Sequence, residues 1–154
     1  MNTLAEYLTE HPFLKGMKAE HIELMVGCAS NVRFNPEEYL FREGDSAHSF
    51  YFIRHGRLAL EAFRPHKGNI VIQTLNSDAV LGWSWLVEPY VRHFDCRAME
   101  LTRAIALDGT CLRGKCEQDK ELGYELMKRF VNVMEEELDA IRLQLLDIYN
   151  APIK

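Results

Sequence analysis

Apolar side chains recur at helical spacing in the first thirty residues, at Leu4, Tyr7 and Leu8 and again at Met17, Ile22, Met25 and Val26. His11-Pro12 interrupts the run, so the pattern predicts two short helices within residues 1–30. From about Val32 the period changes. Short β-rich stretches (VRF, YLF, FYFI, RLALEAF, IVIQTL) alternate with turn-forming stretches (NPEE, REGDSAH, RHG, PHKGN, NSD). Strands at this spacing predict a β-barrel or sandwich over residues 31–107. Beyond Asp108-Gly109 helical character returns over residues 108–150. Asp108 or Thr110 is placed to cap a short helix, and Asp119 a long one reaching Tyr149, with Pro152 just past its end. No repeat, low-complexity tract or linker interrupts this order, and a single domain over residues 1–154 is expected.

The long helix carries the most regular pattern. Tyr124, Met127, Val131, Met134, Leu138, Ile141, Leu145 and Ile148 alternate steps of three and four residues, the apolar seam of a heptad repeat. With Val131, Leu138 and Leu145 at position a, Glu137 falls at g and Arg142 at the following e, where opposite charges meet across a parallel helix pair. The first half, Tyr124 to Met134, is expected to pack on the domain's own β-region. The second half (Met134, Leu138, Ile141, Leu145, Ile148) extends past it and is expected to pair with a second copy, giving a homodimer.

Composition narrows the classes. With 154 residues, 47% hydrophobic and 27% charged, the chain can bury about 70% of its unfolded surface around one core. No apolar run is long enough to span a membrane, and the N-terminus has no signal-peptide pattern, so a cytoplasmic protein is expected. The net charge is −5 and basic residues are scattered, which argues against nucleic-acid binding. Cys28, Cys96, Cys111 and Cys116 have no spacing that completes a metal site, so reduced, partly buried thiols and no metal are expected.

Candidate chemistry concentrates in LGWSWLVEPYVRHFDCRA, residues 81–98. This stretch and FREGDSAHSFYFIRHGRLAL upstream resemble the cyclic-nucleotide-binding domain, of the type found in catabolite activator proteins and regulatory subunits of cAMP-dependent kinases. The resemblance covers roughly residues 10–148. It implies a mainly β plus α fold: a jelly-roll-like antiparallel β-roll flanked by N-terminal helices and a long C-terminal helix. Gly44, Gly56 and Gly82 match the family's turn glycines. Each also stands at a strand end, where a residue tolerating positive φ is needed.

The resemblance further assigns residues 82–92 to a phosphate-binding cassette, in which Gly82 opens a short helix and Arg92 pairs with the cyclic phosphate. Physically, a helix starting near Ser84 turns its free N–H groups towards an anion that a guanidinium can clamp from the other side. The sequence departs from the family at three positions. The Glu that accepts the ribose hydroxyl is replaced by Trp83, which has no acceptor. His93 stands where a small hydroxyl residue often follows the Arg, and Asp95 would repel a phosphate unless paired with Arg92, His93 or Arg97.

Three readings follow. Gly82, Trp83, Ser84, Trp85, Arg92, His93 and Asp95 form a pocket for an anionic ligand, a cyclic nucleotide or another phosphate-bearing molecule, with the tryptophans as its wall. Alternatively Trp83, Trp85 and Phe94 fill the pocket and Arg92 pairs with Asp95, leaving a ligand-free dimeric interaction module. Catalysis by His93 and Asp95, with Ser84 or Cys96 nearby, is the third, and no catalytic residue is expected. No cofactor is called for.

Elsewhere, His48 is expected on a surface turn, Asp45 as a backbone cap, and Glu135-Glu136-Glu137 on the solvated side of the long helix. In the family's transcription factors the long helix leads into a helix-turn-helix, whereas this sequence ends five residues after Tyr149. A signal is therefore expected to leave through the dimer helix or a surface patch to a protein partner the sequence does not name. Gly109, Gly114 and Gly123 surround the joint at which a bound ligand would shift that helix.

Overall fold

The computed structural model describes residues 3–150. Helix α1 (Leu4–Glu10) opens on a capping box in which Thr3 Oγ1 accepts from the Glu6 N–H and the Glu6 carboxylate accepts from the Thr3 N–H. A 3₁₀ turn at Pro12–Leu14 and helix α2 (Ala19–Val26) follow. Eight strands are formed among the described residues. They are β1 (Ala29–Phe34), β2 (Tyr39–Phe41), β3 (Ser49–His55), β4 (Leu58–Arg64), β5 (Gly68–Leu75), β6 (Val80–Leu81), β7 (Asp95–Ala98) and β8 (Thr102–Asp108). They pair antiparallel in two sheets, ordered β1-β8-β3-β6 and β2-β7-β4-β5. Helix α3 (Gly109–Gln118) is capped by the Asp108 carboxylate, and α4 (Lys120–Asn150) by Asp119, which accepts from the Leu122 N–H. This is the β-roll with flanking helices that the sequence predicts.

Two apolar clusters hold it together. Inside the roll, Ile53, Leu58, Leu60, Cys96 and Ala98 are fully buried. Between roll and helices the core is aromatic: Phe50 stacks on Trp85 at 4.9 Å and meets Phe52 and Phe130 edge-on. Helix α4 reaches this cluster through Leu122, Leu126 and Phe130, with Val133 partly buried and Glu137 buried one turn further on.

That inner line corrects the expected packing of α4. Tyr124, Met127 and Val131 do not pack on the roll; they are 57–60% exposed, on the same outward side as Leu138, Leu145 and Ile148. The heptad seam and the roll-facing seam are separate faces, since a 31-residue helix can carry both. The predicted Glu137–Arg142 pairing across a dimer is also corrected, as is Glu137's place on the solvated side. Glu137 belongs to the roll-facing line, and Arg142 pairs with Asp139 at 2.8 Å on its own helix.

The expectation of reduced thiols throughout is corrected as well. Cys28 and Cys111 form a disulfide. Strand β1 pairs with β8 in the register Ala29↔Leu107, which brings the residue before β1 against the first turn of α3. Cys96 and Cys116 are free. Among the described residues no helix is long and apolar enough to cross a membrane.

Candidate functional site

Strand β6 delivers the chain to Gly82, whose φ of +100° lies in the left-handed region. A Cβ there would lie 2.7 Å from Arg92 Nη1, so glycine is needed for space as well as for conformation. Trp83–Leu86 then form a 3₁₀ turn, and the chain returns to Arg92. The REGDS loop fixes that return: the Arg92 N–H donates to the Asp45 carbonyl at 2.8 Å, and the Arg92 carbonyl accepts from the Gly44 N–H at 2.9 Å. Asp45 itself caps the loop by accepting from the Arg42 N–H.

The Arg92 side chain is 3% exposed. Nη1 donates to the Gly82 carbonyl at 3.3 Å and Nη2 to the Ser49 carbonyl, while the guanidinium lies 4.2 Å above the Phe41 ring. Among the described residues Nε has no hydrogen-bond partner and no carboxylate pairs with this charge. Burial pulls its pKa below the ordinary arginine value. The Arg92–Asp95 pair expected of a sealed cassette is therefore not formed. Asp95 is buried on β7, where it accepts from the Glu43 N–H at 2.8 Å and faces Arg42, so it anchors a loop and stands apart from the cassette cavity.

Of the two tryptophans only Trp83 borders the cassette. Its ring stacks on exposed His93 with centroids 5.6 Å apart. Trp85, expected as pocket wall, is a correction: it is fully buried between Phe50 and Phe130, because the tight 3₁₀ turn sends the two indoles to different sides. Ser84 is buried and lines the cassette cavity with Gly82, Trp83, Arg92, His93 and Glu137.

Glu137 is the cavity-lining residue that sequence reasoning misplaced. It is 9% exposed and makes no ion pair among the described residues, and burial pushes its carboxyl up to about 7, with Glu136 adding to the rise and the Trp83 indole N–H opposing it. The long helix thus touches the cassette through Trp83 and Glu137. A second connection runs through α3, where Arg113 donates to the Trp85 carbonyl at 2.6 Å and lies over the Tyr90 ring.

The cavity these side chains enclose measures about 10 Å³, against roughly 300–1,000 Å³ for ordinary small-molecule sites. Arg92 also borders an open cleft of about 340 Å³ beside Phe41, Asp45, His48 and Tyr51. His93 and Asp95 do not meet as base and orienter, since Asp95 is committed to the Glu43 backbone. The Cys96 thiol is driven far above its usual pKa by burial, so it stays protonated near neutral pH.

A family model described as the cyclic nucleotide-binding domain matches residues 31–119, more than half of the chain. The chain belongs to the cyclic nucleotide-binding domain family. Solved structures agree in fold. A protein of Geobacter metallireducens named for cyclic nucleotide binding superposes with a TM-score of 0.78 at 22% identity, over 90% of this chain and 99% of the other. A cyclic nucleotide-binding domain from Methylobacillus flagellatus gives 0.75 at 18%, over 92% and 82%. The regulatory domain of Toxoplasma gondii PKA, crystallised with cAMP, gives 0.71 at 17%, over 86% of this chain and 49% of the other. No curated protein matches the chain in sequence. A cyclic nucleotide in the pose the resemblance implies does not fit these residues: Trp83 offers the ribose no acceptor, and the cavity beside Arg92 is about 10 Å³.

Proposed function

We propose that this chain is a non-catalytic regulatory domain that recognises an anionic, phosphate-bearing ligand at Arg92 and signals through α4 as a homodimer, to a protein partner. The observation that carries the reading is a 3%-exposed guanidinium with no anionic partner and an unpaired Nε. A charge this desolvated is costly unless something compensates it. The 340 Å³ cleft gives an anion a route to Arg92 that does not require the family's ribose contact. Ligand entering on the cassette side would displace the Trp83–His93 stack, and with it the contact that α4 makes through Glu137. The homodimer rests on the outward seam of Leu138, Leu145 and Ile148, each at least half exposed in the single chain.

The second reading is a ligand-free dimeric interaction module, favoured by the near-complete filling of the cassette by Trp83, Phe94 and Glu137. One titration separates the two. Thermal unfolding is followed with inorganic phosphate, cAMP, cGMP, cyclic dinucleotides and phosphorylated metabolites, on the wild type and on Arg92→Ala. An anion at one hundred times its dissociation constant adds about 2.7 kcal/mol, a rise of several degrees. The sensor reading expects that rise to vanish in Arg92→Ala. If no compound raises the wild-type midpoint, and Arg92→Ala only loses about 2–4 kcal/mol because the Gly82 and Ser49 carbonyls lose their donors, the module reading stands instead.

A further inference from the structure

The four cysteines fall into two kinds. Cys96 and Cys116 are free, and burial raises both thiols, Cys116 to about 11 and Cys96 further, so neither supplies thiolate near neutral pH. Cys28 and Cys111 are joined across 83 residues of sequence. Cys28 follows α2 and immediately precedes β1, and Cys111 is the third residue of α3. Around the bond, the Asp108 N–H donates to the Cys28 carbonyl at 2.9 Å and Lys115 Nζ to the Leu24 carbonyl at 2.7 Å. The bond therefore fastens α3 to the end of α2.

Helix α3 is also the element that joins cassette to dimer helix. It holds the Trp85 carbonyl through Arg113, and only Asp119 separates it from α4. Any movement of α4 relative to the cassette passes through a helix that the bond holds at its first turn. Without the bond, that first turn keeps the buried Leu112 in the core and hydrogen bonds such as Asp108 to Cys28 and Gly109 to His48, but loses its only covalent tie to the end of α2. The two residues differ in burial: Cys28 is 8% exposed, whereas Cys111 is half-buried. Cys111 is the third residue of a ten-residue helix, and its N–H donates to the capping Asp108 carboxylate at 2.7 Å.

We propose that Cys28–Cys111 is a reversible thiol–disulfide exchange site, served by a dithiol reductant and a disulfide oxidant, that clamps α3 when oxidised and frees it when reduced. The exchange chemistry stands by itself; the effect on signalling rests on the regulatory reading above. In reduction, a thiolate of the dithiol attacks the sulfur of Cys111, the less buried of the two residues, the Cys28–Cys111 bond breaks, and Cys28 leaves as thiolate and takes a proton. The second thiol of the reductant then attacks the mixed disulfide, releasing Cys111 as thiol and leaving the reductant as its own disulfide. Two electrons and two protons pass to the protein. In oxidation the Cys111 thiolate attacks a low-molecular-weight disulfide and displaces one thiol, then Cys28, as thiolate, attacks the Cys111 sulfur of the mixed disulfide and displaces the second, so the oxidant leaves as two thiols carrying the two electrons and two protons.

Thiol counting on the whole chain tests the chemistry. Folded protein is incubated with dithiothreitol or oxidised glutathione, then denatured, alkylated with N-ethylmaleimide and weighed intact. Two labels are expected after the oxidant, four after reduction of the folded protein, and two again on re-oxidation. Four labels under every condition, or a bond that yields only after unfolding, would overturn the exchange site. Amide hydrogen exchange tests the clamp: reduction is expected to speed exchange in α3 by roughly tenfold or more, and oxidised Cys111→Ser and Cys28→Ser to match the reduced wild type. Equal exchange in oxidised and reduced wild type removes the clamp even where the thiol counts stand. Thiol counts are independent of the anion titration, so failure of the sensor reading is told apart from failure of this one.

Discussion

Glu137 shows how a single residue can change meaning between sequence and fold. As the last of three glutamates it reads as solvated surface, and as position g of a heptad it reads as a dimer contact. Its true neighbours follow from the other seam of the helix, Leu122, Leu126, Phe130 and Val133, which continues to Glu137 and carries its carboxyl under the cassette. Periodicity alone could not choose between two faces of one helix. Gly82 and Arg92 were legible through the family resemblance, whose cassette spacing the sequence keeps, whereas the burial of Trp85 depends on which way a tight turn sends it. The raised pKa of Glu137 has a thermodynamic consequence with a definite sign. The folded protein holds this proton up to about pH 7, whereas the unfolded chain releases it near 4.5. The stability due to the proton is complete below pH 4.5 and is lost as pH rises through 7, a change of up to about 3 kcal/mol. His11, whose pKa is lowered by burial, acts in the opposite direction as pH falls, so the wild-type curve alone mixes the two. Comparison with Glu137→Gln isolates the carboxyl: in urea unfolding the variant is expected to gain on the wild type between pH 5 and pH 8. Parallel curves for the two proteins would remove the buried, unpaired state assigned to Glu137.

At the scale of elements, the strands that the sequence revealed are those with dense β-branched and aromatic residues. The stretches VRF, YLF, FYFI, RLALEAF and IVIQTL became β1 to β5. Strand β7 was hidden by its charge, Asp95 and Arg97, whose partners lie on loops and on β4. Strand β8, TRAIALD, alternates with small alanines that carry little β-signal, although its residues 104–107 are buried. The disulfide was hidden for a related reason, since Cys28 and Cys111 meet only through the β1–β8 register. The turn between β3 and β4 was legible from Gly56, and the fold shows why no other residue serves. Its φ is +122°, and a Cβ would lie 2.7 Å from Thr102 Cα on β8. Neither side of that contact is a flexible side-chain end. Gly56→Ala is expected to cost roughly 2–4 kcal/mol, combining backbone strain with displacement of β8. Chemical denaturation measures it directly, and a loss below 1 kcal/mol would mean that β3 and β8 can move apart at this point. Gly44→Ala is the control for conformation without crowding, since no atom lies within 4 Å of its added Cβ.

At the scale of the whole molecule, the proposed homodimer turns on the outward seam of α4. A single chain would leave Tyr124, Met127, Val131, Leu138, Leu145 and Ile148 each at least half exposed along one helix face. Continuous apolar stripes of this kind mark association surfaces, and the spacing of three and four matches a second helix of the same pattern. Association would tie stability to concentration, because a dimer that forms only between folded chains stabilises the fold by mass action. The wild type is therefore expected to sediment at twice the chain mass and to melt at a temperature that rises with protein concentration. Leu138→Glu, placed mid-seam and 67% exposed in the single chain, touches none of the core clusters. It is expected to sediment as a monomer whose melting temperature no longer depends on concentration. The inward line of α4 is unchanged in that variant, so its Trp83–Glu137 contact and its pH dependence should persist. A wild type that remains monomeric at tens of micromolar would remove the homodimer and leave the seam to a different protein. A Leu138→Glu protein that loses the pH dependence as well would show that the two faces of α4 are coupled, and that dimerisation itself positions Glu137 beneath the cassette.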